Sequence, residues 1–173
     1  MKKIVSCFYA ILAAVLFTTS VLAGPSIKLS SVTFSLGSLI ADGTLSGIGR
    51  TDINVVLDAS GIPVITCTNP GKNDVPGQSS PRITASGEQL LDGDSPVRKN
   101  GRSPFSVETD DTNISWDAAG CPSSKWTAQI DFVFWTNATL SFYDAVTNQL
   151  LLKQDYSCIT TRFPPSVTCT PVP

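Results

Sequence analysis

The sequence contains no histidine among its 173 residues, and this absence removes several classes of function. Imidazole is the usual general base near neutral pH, the usual partner of a serine or cysteine nucleophile, and the commonest zinc ligand. A Ser-His-Asp or Cys-His mechanism is therefore excluded. Any catalysis would have to use carboxylates, tyrosines, lysines and hydroxyl groups. We accordingly expect a protein that is not an enzyme and that carries no cofactor.

The sequence is also short of basic residues and of helical patterns. Without the two lysines of an N-terminal signal, ten basic side chains face fourteen acidic ones, a net charge of −4. Proteins that bind nucleic acids or anionic membranes need a basic face, so we expect neither partner. No segment after residue 24 has the apolar spacing of an amphipathic helix. An extracellular protein or a glycan remains the expected kind of partner.

Residues 1–23 have the three parts of a signal peptide. Two lysines precede an apolar run over residues 4–17, and Ala23 stands where signal peptidase accepts a small side chain. An uncleaved membrane anchor is the competing interpretation, but the hydroxyl-bearing residues 18–20 interrupt the run. We predict cleavage after Ala23, which leaves residues 24–173 as a single domain. The paired lysines are typical of a bacterial signal, and the predicted location is extracellular or periplasmic.

Short strands are predicted along the rest of the chain. Apolar and polar side chains alternate over stretches of about five to nine residues, and Gly, Pro, Asn and Asp separate these stretches. About nine or ten strands without helices need two sheets to bury their apolar faces. The pattern therefore predicts an all-β fold, a two-sheet antiparallel β-sandwich. The main predicted strands are residues 27–35, 39–46, 52–59, 62–68, 82–86, 105–109, 126–135, 139–144 and 150–157.

Three details of this pattern are specific. The alternation changes phase between Leu29 and Val32, which predicts a bulge near a sheet edge. Ser60-Gly61 predicts the turn of a hairpin. In strand 126–135 one face is wholly apolar and is expected in the core, whereas the other face is polar at first and covered later, at Val133 and Trp135. The apolar face consists of Trp126, Ala128, Ile130, Phe132 and Phe134.

Four cysteines remain after the signal: Cys67, Cys121, Cys158 and Cys169. In an oxidising compartment they are expected to form two disulfides, and four cysteines allow three connectivities. A hairpin around residues 163–165 would bring Cys158 opposite Cys169, which would leave Cys67 to pair with Cys121. No Cys-x-x-Cys motif is present to tune a reactive thiolate. Oxidised cysteines cannot ligate zinc, so a structural zinc site is not expected.

The triplet Tyr156-Ser157-Cys158 resembles the tyrosine corner of immunoglobulin domains, in which Tyr lies two residues before the second cysteine. The resemblance covers three residues. The core tryptophan that should follow the first cysteine within about a dozen residues is missing, because the tryptophan after Cys67 is Trp116. The resemblance thus implies an immunoglobulin-like architecture and no particular function.

Carboxylates form two local clusters in predicted loops. Asp92 and Asp94 make up one cluster, and Asp110, Asp111 and Asn113 make up the other. Their oxygens are of the type that calcium prefers, but Asp and Asn also serve as solvated turn residues. Neither cluster matches a recognised calcium loop, so we expect no metal. A hydrolase would need two facing carboxyl groups, and nothing in the sequence brings the two glutamates, Glu88 and Glu108, together.

Trp116, Trp135 and Tyr143 are the aromatic residues least clearly committed to the core. A row of exposed aromatic side chains can stack on sugar rings, as in carbohydrate-binding modules. Alternatively, Trp135 and Tyr143 fill a second core layer or cover the outer face of the sheet. The sequence thus favours a secreted, non-enzymatic β-sandwich that acts as an extracellular interaction, adhesion or envelope-associated module. A carbohydrate-binding module is the alternative, and a carboxylate-based hydrolase is a third possibility.

Overall fold

The computed structural model describes residues 27–173, and these residues form nine β-strands. The predicted signal peptide and its cleavage site lie outside the described residues. Within residues 27–173 no helix is long and apolar enough to cross a bilayer. The strands are β1 (Lys28–Ser35), β2 (Ile40–Ser46), β3 (Ile53–Thr68), β4 (Asp74–Pro76), β5 (Ile83–Leu91), β6 (Arg102–Glu108), β7 (Thr127–Asp144), β8 (Leu150–Arg162) and β9 (Pro165–Pro171).

The strands form two antiparallel sheets. The first has three strands in the order β1-β2-β6. Its register shifts between Ser30 and Thr33 in β1, and Ser31 takes a positive φ of 56°. This irregularity confirms the bulge predicted from the phase change, and it lies in an edge strand. The second sheet has the order β4-β3-β7-β8-β9, and β5 pairs with β3 on the same side as β4.

The main core lies between the two sheets. Apolar side chains of β2 and β6 meet those of β3 and β7, and two aromatic pairs bridge the sheets. Phe105 meets Phe142 edge to face with ring centroids 5.5 Å apart, and Phe34 meets Tyr156 at 5.0 Å. Each fully buried large apolar side chain contributes about 1.5–3 kcal/mol relative to exposure, so this shared layer holds the sheets together.

The two sheets also meet along a seam between β5 and β6. The backbone N–H of Asp110 donates to the carbonyl of Ser86 at 2.9 Å. A Cβ atom added at Gly87 would overlap the carbonyl group of Glu108. Only glycine permits the backbones to come this close. The seam places the end of β6, and the loop after it, beside the second sheet.

The predicted hairpin at Ser60-Gly61 is wrong, because β3 runs straight through it from Ile53 to Thr68. Gly61 is buried, and a Cβ atom there would lie 2.6 Å from Val133 Cγ1 and 2.8 Å from the carbonyl oxygen of Phe134. The glycine therefore allows β3 and β7 to approach each other and does not turn the chain. A glycine within a strand pattern is compatible with a turn and also with the close approach of a neighbouring strand, and the local sequence does not distinguish the two.

Strand β7 is likewise longer than predicted, since it continues through residues 136–138 to Asp144. Its register against β3 shifts twice, and each shift leaves one β7 residue without a partner: Asp131 and Thr136. An extra residue in one strand reverses the side-chain alternation beyond it. The two bulges therefore reverse the faces of β7 twice within one strand.

This reversal corrects the predicted faces of strand 126–135. Ala128 and Ile130 pack against the core clusters as predicted. Beyond the bulge at Asp131 the buried residues are Val133 and Trp135. Of the other three predicted core residues, Trp126 packs against the second core cluster as predicted. Phe132 and Phe134 are half-buried on the opposite face and meet edge to face with ring centroids 5.1 Å apart.

Two smaller strand predictions also need correction. The segment between the predicted strands 62–68 and 82–86 contains the short strand β4, which pairs with the end of β3 at Thr66, Cys67 and Thr68. Strand β5 continues beyond the predicted end at residue 86 to Leu91, so Glu88 lies on a strand. Both differences arise because β3 offers a long edge on which short polar segments can pair.

The disulfides join Cys67 to Cys121 and Cys158 to Cys169, the connectivity that the sequence favours. Cys158 and Cys169 are direct partners in the β8–β9 hairpin, so that bond lies within one sheet. In the immunoglobulin pattern the cysteine of the tyrosine corner bonds across the two sheets. Cys158 departs from that pattern.

Candidate binding cleft

The largest departure from regular pairing lies along β7. Strand β8 pairs with β7 only from Asn137 to Tyr143, whereas β3 pairs with β7 along its whole length. We call residues 137–144 the closed half of β7 and residues 127–136 the open half. Among the described residues, no strand pairs with the open half on the side where β8 would continue. The open half is therefore a sheet edge.

A cavity of about 440 Å³ lies against this edge, and we call it the β7 cleft. Its floor consists of β7 residues between Ala128 and Trp135, and its walls are the β1–β2 turn at residues 36–38 and loop residues 109–114. The volume is within the range of ordinary small-ligand sites. Consecutive residues of β7 line it, as expected for a cleft that follows a strand edge.

One side chain marks the point where the backbone ladder between β7 and β8 ends. The hydroxyl of Thr160 donates to the carbonyl oxygen of Trp135 at 3.0 Å. A side chain thus takes the position at which the next strand would supply a backbone N–H. At the bulge beside it, the Thr136 hydroxyl donates to the carbonyl of Ser60 at 3.1 Å and accepts from Arg82 Nη1 at 2.7 Å.

Three carboxylates line the β7 cleft: Asp110, Asp111 and Asp131. Asp131 Oδ2 accepts a hydrogen bond from the Thr66 hydroxyl at 2.6 Å, and Asp111 Oδ1 accepts a long one from Ser38 at 3.4 Å. Within residues 27–173 the structure contains one ion pair, between Lys153 and Asp155, and this pair lies on the outer face of β8. The carboxylates of the cleft therefore have no ion-pair partner in the described part of the chain, and the cleft carries negative charge.

The floor of the cleft also contains a buried donor. Trp135 is 2% exposed, and its indole Nε1–H has no hydrogen-bond partner. Leaving a buried donor unsatisfied costs about 1–3 kcal/mol. Such a group is uncommon in folded proteins and needs a structural or functional explanation.

The Cys67–Cys121 disulfide fastens the long loop between β6 and β7, whose first residues form one wall of the cleft. Ala119 and Cys121 are buried against Ile65 and Cys67 in a second, smaller core. The Asp117 carboxylate accepts a hydrogen bond from the Ser115 side chain and a second one from the backbone of Ala118. These two bonds, the first with the larger effect, hold the pKa of Asp117 below its ordinary value. A covalent bond, a small core and local hydrogen bonds thus fix the position of the loop.

The structure does not bring the three candidate aromatic residues together. Trp135 lies in the main core, so it cannot stack on a sugar ring from solvent. Trp116 is 38% exposed in the loop beside Cys121. Tyr143 is half-buried near the end of the closed half of β7, far along the strand from that loop. The predicted row of exposed aromatic side chains does not form.

The two candidate metal clusters lie at opposite ends of the strands. Asp92 and Asp94 form a turn in which the Asp92 side chain accepts from the Asp94 backbone N–H at 2.9 Å. Asp110, Asp111 and Asn113 lie beside the β7 cleft. Within residues 27–173 no three Asp, Glu, Cys or His side chains are grouped closely enough to hold a metal ion.

The two glutamates also lie apart from the cleft. Glu88 is exposed on β5, where Asn54 Nδ2 donates to it at 3.4 Å. Glu108 is exposed at the end of β6, and neither glutamate lines the β7 cleft. The exposed carboxyls do not provide the protected, facing pair that glycoside hydrolysis needs.

Sequence reasoning missed Gln129 and Asp131 as cleft residues and missed the free edge itself. The signal in the sequence is ambiguous: residues 132–135 are all apolar, so either face of the strand can be the buried one beyond Asp131. The free edge leaves no signal in β7 alone, because it depends on where β8 stops pairing.

Comparison with models of known protein families and with curated proteins finds no match.

Proposed function

We propose that this chain is an exported, non-enzymatic interaction module that binds an extracellular or envelope-associated partner. The binding region lies at the end of the molecule that carries the tip of the β8–β9 hairpin and the β7 cleft. Its scaffold is a β-sandwich of immunoglobulin-like architecture, built for an oxidising compartment. The two disulfides and the core between the sheets support this proposal, and the placement of Cys158 shows where the architecture departs from the immunoglobulin pattern.

The observation that carries the proposal is a pair of large apolar side chains held in solvent by a rigid hairpin. Phe163 is 84% exposed at the hairpin tip, and Ile159 is 73% exposed on β8. Seven residue pairs and the Cys158–Cys169 disulfide hold the two strands in register. The Arg162 guanidinium lies 5.5 Å from the centre of the Phe163 ring. Rigid aromatic and arginine side chains are the ones that contribute most at protein interfaces.

The sequence alternatives receive less support. A carbohydrate-binding module would need its aromatic side chains in a row, and Trp135 is inside the core. A carboxylate hydrolase would need a pair of carboxyls protected from solvent, and both glutamates and all three carboxylates of the β7 cleft are exposed. The interaction module requires neither arrangement.

Binding of the mature chain to the isolated envelope fraction of the producing cells tests the proposal. We expect saturable binding, and we expect the double variant Ile159→Ser/Phe163→Ser to bind at least tenfold more weakly. Val146→Ser is the matched control, because Val146 is also 84% exposed but lies in the turn after β7. Equal binding by the double variant and the parent would contradict the role of the hairpin. Absence of any saturable binding to the envelope would contradict the proposed function.

A further inference from the structure

We propose that the β7 cleft accepts an extended, basic peptide segment of a partner protein, which adds to the open half of β7 as an extra strand. This inference rests on the proposed function as an interaction module and names the chemistry of the partner. The cleft, the free edge and the uncompensated carboxylates are independent observations, and all three lie at the same place on β7.

The first argument is the backbone of the open half. Residues 127–136 pair with β3 on one side, and no strand of the described chain pairs with them on the other. At roughly 3.3 Å per residue these ten positions span about 30 Å. An unpaired edge presents N–H and C=O groups that an extended peptide can pair with, a recurring mode of peptide recognition. The Thr160 hydroxyl occupies only the last of these positions, at the carbonyl of Trp135.

The second argument is charge complementarity. Asp110 and Asp111 line the cleft from the loop after β6, and Asp131 lines its floor, where its carboxylate accepts a hydrogen bond from Thr66 of β3. None of the three forms an ion pair within residues 27–173. Lysine or arginine side chains of an added strand would supply the missing counter-charges, whereas an acidic peptide would be repelled. The carboxylates therefore select the charge of the peptide, and the backbone edge selects its extended form.

The indole of Trp135 provides a spectroscopic probe beneath the site. Trp135 belongs to the floor of the cleft, but its Nε1–H is buried and lies out of reach of a peptide that pairs with the strand edge. Because the residue borders the cleft, we expect its indole N–H resonance to shift when the cleft is filled.

Titration with defined peptides tests the inference. The probe is a ten-residue peptide of alternating threonine and lysine; one control replaces lysine with glutamate, and a second carries N-methyl groups on alternate backbone nitrogens. Binding is measured by fluorescence anisotropy of labelled peptide and by amide chemical shifts of the ¹⁵N-labelled mature chain. We expect the basic peptide alone to bind, with shifts concentrated in residues 127–136 and at Trp135 Nε1–H. We also expect affinity to fall with added salt, because exposed charges are screened.

A matched pair of double variants distinguishes binding at the β7 cleft from attraction to the overall negative charge of the protein. Asp110→Asn/Asp111→Asn should weaken binding of the basic peptide at least fivefold. Asp92→Asn/Asp94→Asn removes the same charge at the other end of the strands and should weaken it less than twofold. If the first variant does not fold, the shift map of the parent protein still locates the peptide.

Several outcomes would overturn the inference. Equal affinity of the N-methylated peptide would mean attraction by charge without strand addition. Shifts outside the open half would place the peptide elsewhere, and no binding of the basic peptide would remove the site. Binding of a neutral hexasaccharide in the cleft, in place of the peptide, would identify a glycan site. Envelope binding through Phe163 could persist in all these cases, so failure of the inference is distinct from failure of the proposed function.

Discussion

The closed and open halves of β7 belong to one strand but differ in what they build. The closed half has a neighbour on each side, and its side chains at Leu140 and Phe142 are fully buried. The open half has one neighbour, and both bulges of the strand, at Asp131 and Thr136, lie in it. The half paired on both sides thus lies over the core, whereas the half paired on one side contributes to the core and also borders the cleft. Bulges are frequent at sheet edges and beside functional sites.

Truncation of Trp135 tests the reversal of faces in the open half. Trp135→Ala should lower the free energy of unfolding by about 3–5 kcal/mol, because it empties a large buried site. Phe134→Ala should cost less than half as much, since Phe134 is half-buried on the other face. Both are measured by guanidinium unfolding of the oxidised proteins. Equal losses would show that the bulge at Asp131 does not place Trp135 and Phe134 on a buried and a half-exposed face.

Removing each disulfide in turn compares how much the two bonds stabilise the fold. One bond holds the loop beside the open half of β7, and the other lies in the β8–β9 hairpin next to the closed half. The Cys67–Cys121 bond spans 54 residues and Cys158–Cys169 spans 11. From loop-closure entropy we expect losses of about 4 kcal/mol for Cys67→Ser/Cys121→Ser and about 3 kcal/mol for Cys158→Ser/Cys169→Ser. Denaturant unfolding without reductant measures both. A larger loss for the hairpin bond would contradict the expected order.

Gly61→Ala tests the close approach of β3 to the open half. The added Cβ meets Val133 Cγ1 and the backbone of Phe134, so we expect a loss of about 1–3 kcal/mol from overpacking. Gly71→Ala is the matched control, because its Cβ would meet only the side chains of Asn69 and Asn73. The control should stay within about 0.5 kcal/mol of the parent in thermal or denaturant unfolding. A neutral Gly61→Ala would mean that the two strands separate readily.

The smallest effect is expected at the turn that ends the closed half. The Thr147 backbone N–H, 2.7 Å from Asp144 Oδ1, holds the pKa of that carboxyl below its ordinary value of 3.8. The stabilisation is therefore present above about pH 4 and is lost as the pH falls through the folded-state pKa. The difference in Tm between the parent and Asp144→Asn should shrink from pH 5 to pH 2. A constant difference would contradict this assignment.

Local patterns predicted much of this fold. The all-β class, the first two strands with the bulge in β1 and the pairing of the cysteines follow from alternation and spacing near each feature. The long strands β3 and β7 could not be predicted in full, because Gly61 and Asn137 look like turn residues when a strand is considered alone. What keeps each strand continuous is the other one, paired with it along its whole length.

The candidate site was predictable only in part for the same reason. Asp110, Asp111 and Asn113 stand out in the sequence as a cluster of oxygen-bearing side chains in a loop. Their position beside a free edge depends on the seam at Gly87 and on the end of β8 pairing at Asn137. The sequence leaves the place of Trp135 open, because strict alternation puts it on the face opposite Ile130, whereas the alternation reverses at Asp131.

The Cys67–Cys121 bond has a mechanical consequence. It joins the end of β3 to the loop just before β7. A force that stretches the chain is therefore transmitted from β3 to β7 through the disulfide and does not extend β4, β5 and β6. At about 3.5 Å per extended residue, the 54-residue ring withholds about 190 Å of length, and the 11-residue hairpin ring withholds about 40 Å more. The fully stretched oxidised chain is therefore about 230 Å shorter than the fully stretched reduced chain.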